Sequence, residues 1–159
     1  MIKLTVTLLM LFIVLGCSGI GGKPSNGGLT GGMPPQVFIQ IGDERHETKL
    51  GTYCWSGPNH SLCVDAVGPA ELLKNEKPVL VRPGEKIRFV LDYEPLPNKF
   101  HVEQISGGNH TEVAVKENAI QAPVQKGIYY YSYGVWWMDE KKENVSHGDA
   151  FYCFVLEVI

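Results

Sequence analysis

Lys86-Ile87-Arg88-Phe89-Val90-Leu91-Asp92 shows period-two alternation and sets Ile87, Phe89 and Leu91 on one face. That period is the signature of a half-buried β-strand. Working outward, Pro83-Gly84 is turn material and Val79-Leu80-Val81 reads as a strand before it. Val37-Phe38-Ile39-Gln40-Ile41 alternates, Gly42-Asp43-Glu44 turns the chain, and His46 to Trp55 returns as one partner strand. Cys63-Val64-Asp65 is short and extended. Phe100 to Ile105 and Thr111 to Lys116 read as a hairpin around Ser106-Gly107-Gly108-Asn109. Lys126-Gly127 turns into the aromatic strand Ile128-Tyr129-Tyr130-Tyr131-Ser132-Tyr133. A charged loop, Asp139 to Asp149, leads to a last strand, Ala150 to Ile159. The one helix candidate is Pro69 to Lys74, with Pro in its first turn. Many short strands broken by Gly and Pro predict an all-β fold, a single antiparallel β-sandwich of immunoglobulin-like architecture with one short helix. Antibody-type membership is excluded, because Trp55 directly follows Cys54 and the chain ends six residues after Cys153.

The N-terminus sets the expected location. Lys3 precedes twelve apolar-rich residues, Leu4 to Leu15, too few for the roughly 20 of a membrane span. A basic start, a short apolar run and a small residue before a cut site make a secretory signal peptide. Val14-Leu15-Gly16-Cys17 looks like a bacterial lipobox. It implies cleavage after Gly16, a diacylglyceryl group on the Cys17 thiol, and anchoring by two acyl chains at the extracytoplasmic face of the cell membrane. A plain signal-peptidase cut after Gly16 is the competing reading. The predicted organisation is a lipoprotein signal peptide over residues 1–16, a lipidated Cys17 and Gly-rich flexible tether over 17–35, and the sandwich over 36–159.

Composition narrows the partners. The chain has 159 residues, 14 basic and 17 acidic side chains and a net charge of −3, with no basic block, so nucleic acid is an unsuitable partner. Export permits disulfides. Beyond Cys17 there are Cys54, Cys63 and Cys153, an odd set. Gly57-Pro58-Asn59 favours a turn that closes Cys54 onto Cys63; pairing of Cys54 with Cys153 is the rival. Cys153 reads as a small buried residue of the last strand.

Gly51-Thr52-Tyr53-Cys54-Trp55, Cys63-Val64-Asp65 and Pro69-Ala70-Glu71-Leu72-Leu73 together resemble a set of small lipoproteins of Gram-positive, bacillus-like bacteria. The Arg82-Pro83-Gly84-Glu85 turn, Gly127-Ile128-Tyr129-Tyr130-Tyr131 and Gly148-Asp149-Ala150-Phe151-Tyr152 fit the same pattern, which spans most of 36–159. The resemblance implies an extracytoplasmic β-domain and brings no catalytic residues.

Chemistry-bearing motifs are sparse. A blue-copper site needs two His and a Cys, usually with an axial Met, but only Phe154 to Ile159 follow Cys153. Cys54, His60 and Cys63 have zinc-ligand types, yet an extracellular two-Cys loop reads first as a disulfide. There is no Gly-x-Ser-x-Gly elbow. No metal or cofactor is therefore expected, and the chain reads as a non-enzyme. Aromatic residues are the functional lead: Trp55, Tyr129, Tyr131, Tyr133, Trp136 and Trp137. On a strand, Tyr129, Tyr131 and Tyr133 share one face. Displayed together, they would form a binding face for an envelope protein or a wall polymer; turned inward, they would fill the core. The expected function is a non-catalytic binding module of the cell envelope. The alternatives are an inhibitor of exported enzymes acting through the Cys54–Cys63 loop, and a small envelope enzyme or thiol redox protein.

Overall fold

The computed structural model describes residues 29–58 and 60–159; the expected signal peptide over 1–16, Cys17 and the expected tether up to residue 28 lie outside the described residues. In chain order, β1 (Val37–Ile41) and β2 (Glu44–Glu47) form a hairpin, and β3 (Lys49–Ser56) and β4 (Ser61–Val64) form a second. The helix α1 (Pro69–Leu72), β5 (Val79–Val81) and β6 (Lys86–Leu91) follow. β7 (Lys99–Ser106) and β8 (Asn109–Glu112) make a third hairpin, then come β9 (Ala119–Gln121), β10 (Gly127–Met138) and β11 (Ser146–Val158).

These strands make an all-β sandwich with one short helix. The smaller sheet has the order β2-β1-β6-β9. The seven-stranded sheet has the order β4-β3-β11-β10-β7-β8, with β5 added beside β11. Pairing is antiparallel apart from β5, which runs parallel to the end of β11. The alternation of β6 is realised as read: Ile87 and Phe89 are buried and Leu91 is partly buried against the core. Phe89 stacks on Tyr133 across the two sheets at 3.8 Å between ring centroids, and Tyr131 stacks on Phe154 at 4.8 Å.

Four expectations change. First, the single strand His46 to Trp55 is two strands in two sheets. The chain crosses at Thr48, whose N–H and Oγ1 both donate to the Val37 carbonyl, at 3.2 and 2.7 Å. Second, β9 is a strand no sequence signal marked. A tight turn delivers it, with Glu117 and Asn118 at φ 50° and 57° and paired backbone bonds between Lys116 and Ala119. The Asn118 side chain donates to the Phe89 carbonyl and locks that turn onto β6.

Third, the folded region begins before Gln36. Leu29 is a core residue, and its N–H donates to the Ser56 carbonyl at 3.1 Å. Pro34 is buried, and the Tyr152 hydroxyl donates to the Pro35 carbonyl at 2.6 Å. Residues 29–35 therefore belong to the domain rather than to a tether. They enter at the end of the sandwich that carries the 57–60, 92–98 and 139–145 loops. The C-terminal Ile159 bonds to Val81 at the opposite end, beside Gly127.

Fourth, the tyrosine face points inward. Tyr129, Tyr131 and Tyr133 are 8 %, 0 % and 4 % exposed, while Ile128 on the other face is 48 % exposed. The alternation of β10 holds, and of the two orientations open from the sequence the inward one is found, so the tyrosines form no binding face. These three tyrosines are core, as are Trp55 and Trp137.

The buried acids give a pH prediction. Burial pushes the Cys153 thiol up from 9.0 to about 11 and the Tyr133 hydroxyl up from 10.0 to about 12. Burial also raises Tyr131 and Tyr152. The folded state holds these protons more tightly than the unfolded chain does. Their contribution is complete below the unfolded values and is lost as pH rises through the folded ones. From neutral pH, urea unfolding midpoints should hold until the pH nears 9.0, then fall towards pH 12. Cys153→Ala should delay the onset towards 10.0, where unfolded tyrosine titrates. A midpoint that keeps rising above pH 10.0 would contradict this account.

Candidate functional site

On the outer face of the seven-stranded sheet, α1 covers a patch within one half only. There α1 packs Leu72 and Leu73 against Cys153, Val155 and Tyr130. On the uncovered half, Trp136 of β10 and Phe151 of β11 meet edge to face, with centroids 5.4 Å apart and planes at 86°. Both are half-buried. Gly134, one outward position before Trp136, makes room for them. A Cβ on Gly134 would come 2.8 Å from both Phe151 Cε1 and Trp136 Cη2. The two rings thus lie down over the backbone of β10 and form a shallow aromatic platform.

Polar groups rim it. Lys99 pairs with Trp136 across β7 and β10, and its Nζ lies 5.7 Å from the Trp136 ring centroid. His101 stands opposite Gly134 and Glu103 opposite Ser132 on the same face. Asp149 of β11 stands opposite Trp136 on one side and Cys54 on the other. Burial raises the Asp149 carboxyl above its usual range, opposed by a hydrogen bond from the Cys54 backbone. Further out, His101 Nδ1 lies 3.4 Å from Glu112, and His110 Nδ1 lies 3.2 Å from Glu103. Flat apolar rings bordered by donors and acceptors can take an amphipathic ligand that has both a ring face and hydroxyl edges.

Among the six aromatic residues singled out from sequence, only Trp136 sits on this face. Trp55 and Trp137 instead meet Tyr93 inside the entry end, in three mutual edge contacts of 5.0 to 5.8 Å. Their polar handles serve the chain itself. Trp55 Nε1 donates to the Gly31 carbonyl and Trp137 Nε1 to the Pro95 carbonyl. The Tyr93 hydroxyl accepts the Thr30 N–H at 2.8 Å and donates to the Thr30 carbonyl at 3.1 Å. This cluster clasps the N-terminal segment. Phe151 and Gly134 were not read as site residues. The signal was the shared alternation of Gly134 with Trp136, together with the closing strand being aromatic on both faces.

Cys54 and Cys63 form a disulfide with Cα atoms 4.1 Å apart, directly across β3 and β4. It staples the stem of the hairpin. The loop beyond it is held down: the Gly57 N–H donates to the His60 carbonyl, and His60 Nε2 lies 3.3 Å from the Gly32 carbonyl. Cys153 is a free thiol, 3 % exposed, on the floor of a cavity of about 260 Å³ between α1 and the gap separating β3 from β5. Among the described residues, no group of three or more His, Cys, Asp or Glu side chains is placed to hold a metal ion. No described helix is long and apolar enough to cross a membrane. No family model, curated protein or solved structure matches the chain.

Proposed function

We propose that this chain is a lipid-anchored, extracytoplasmic, non-catalytic binding module, and that its ligand is a sugar polymer of the cell wall that stacks on Trp136 and Phe151. The observation that carries the reading is the half-open aromatic platform over Gly134, beside a short helix that covers Cys153, Val155 and Tyr130 on the same face. Pyranose rings present an apolar face for stacking and hydroxyls for Ser132, Glu103, His101 and Asp149. The Val14-Leu15-Gly16-Cys17 lipobox supports the location, and the Cys54–Cys63 disulfide is compatible with an oxidising compartment. Eleven residues separate Cys17 from Leu29, a reach of at most about 40 Å. The domain would therefore sample only polymer close to the bilayer.

The other readings have less support. An inhibitor loop should be free to enter a cleft, whereas here the Gly57 N–H donates to the His60 carbonyl and His60 Nε2 lies against the Gly32 carbonyl. A thiol enzyme needs a thiolate, whereas burial holds the Cys153 proton on up to about 11.

The test is co-sedimentation of a chain starting at Ser18 with purified insoluble cell wall. Trp136→Ala should weaken binding at least about tenfold, since buried aromatic anchors dominate such interfaces. Trp136 is only half-buried, so the variant should fold. Wall binding unchanged by Trp136→Ala would sink the platform as the site. No wall binding by the parent chain would sink the ligand class.

A further inference from the structure

We propose that the free edge of β4 pairs antiparallel with β4 of a second copy of this chain, independently of any ligand on the outer face. An unpaired sheet edge invites another strand, and proteins blunt edges with charge, proline, bulges or brevity. The other edges here are blunted. β2 reads Glu-Arg-His-Glu, β8 carries His110 and Glu112, and β5 and β9 are three residues long. By contrast, β4 reads Ser-Leu-Cys-Val, four exposed residues without charge or proline. Leu62 and Val64 stand opposite core residues Trp55 and Tyr53, on the inner side of the sheet. They nevertheless remain 44 % and 36 % exposed.

The backbone of β4 is set for the pairing. The 4.1 Å Cα separation of Cys54 and Cys63 has the spacing of a non-hydrogen-bonded antiparallel pair. The N–H and C=O groups of Cys63, and of Ser61 two residues away, therefore point away from β3. The disulfide holds this edge extended. A two-fold axis through Cys63 matches the sequence to itself. Cys63 faces Cys63 of the second copy, Leu62 faces Val64, Val64 faces Leu62, and Ser61 faces Asp65. Apolar residues then cover one another on the inner side, and each Asp65 carboxylate meets a neutral Ser61 rather than a like charge; the Ser61 hydroxyl, which donates to Ser56 Oγ at 3.1 Å in the single chain, turns its proton to the carboxylate. This complementarity selects a second copy over a strand of arbitrary sequence.

The test is sedimentation velocity of the chain starting at Ser18, which keeps every described core residue. Concentration is raised to ~1 mM, the order of effective concentration that a short flexible linker between two copies would give. A dimer is expected. Ser61→Asp sets two Asp65 carboxylates against two new ones and should weaken dimerisation about tenfold. Adding Asp65→Lys to Ser61→Asp should restore it. All of these positions are exposed, and circular dichroism checks the fold. Leu62→Lys, which changes the edge at a different exposed side chain, should also give a monomer. A parent chain that stays monomeric overturns the proposal. So does a dimer indifferent to Ser61→Asp and Leu62→Lys, or one that Asp65→Lys fails to restore. The last outcome would mean a different register or a different occupant of the edge.

Discussion

Trp55→Ala is expected to cost the domain about 3–5 kcal/mol, read as a lowered urea midpoint at neutral pH. Trp55 is 1 % exposed and packs edge-on against Trp137 at 5.0 Å and Tyr93 at 5.8 Å. It also lies under Gly148, where a Cβ would approach Trp55 Cε3 to 2.8 Å and Leu29 Cδ1 to 2.6 Å. Truncation opens a cavity lined by rings too stiff to collapse into it, and removes the donor to the Gly31 carbonyl. Trp55→Phe isolates that second part. It keeps much of the ring and loses the N–H, for about 1 kcal/mol. If Trp55→Ala costs no more than Trp55→Phe, the packing account of the entry end is wrong. Release of residues 29–33 should accompany the loss, seen as faster hydrogen exchange at the Leu29 and Thr30 amides.

Removal of the disulfide, by Cys54→Ala with Cys63→Ala, is expected to cost about 2–3 kcal/mol from the entropy of closing a ten-residue loop in the unfolded chain. The effect should be concentrated at the sheet edge. Among the described residues β4 is hydrogen-bonded in the sheet to β3, and all four of its side chains are exposed. Little but backbone bonding and the cross-link holds it. Hydrogen exchange at Leu62 and Val64, whose amides face β3, should therefore rise more than exchange at Phe89 or Tyr133. Protection at Leu62 and Val64 unchanged in the double variant would show that the hairpin stands without its staple.

The sandwich was legible where one face of a strand is core and the other is water. β6 is the clear case, with Ile87 and Phe89 inward and Lys86 and Arg88 exposed. It was less legible where both faces are apolar. β10 lies at the middle of the large sheet, with tyrosines packed inward and Tyr130 packed outward under α1. Alternation there gives the grouping of side chains but not which group is inside. The sheet switch at Thr48 carried no Gly or Pro. Its cause is tertiary, the two bonds from Thr48 to the Val37 carbonyl. Leu29 was hidden by its glycine-rich surroundings, because composition averages over the one side chain that is buried. The candidate site was half visible. Trp136 was on the aromatic list, but the platform depends on Phe151 from the neighbouring strand and on the absence of a Cβ at Gly134. Both depend on register, which pairs Gly134 with Phe151 and becomes apparent only after the strands are aligned.

The clasp around Leu29 also has a mechanical meaning. A pull applied from the N-terminal side enters the fold at one point, next to the last residue of β3. It loads the bond from Leu29 to Ser56, then those from Thr30 and Gly31 to Tyr93 and Trp55, one after another. These would open like a zipper, at low force and in sequence. Beyond them the load meets the Pro35 carbonyl, held by the Tyr152 hydroxyl, and then β1, which is flanked by β2 and β6. There the force spreads sideways through several strands at once. The entry segment can thus act as a yielding link that absorbs a tug, while the sheet bearing the Trp136 platform stays in shape.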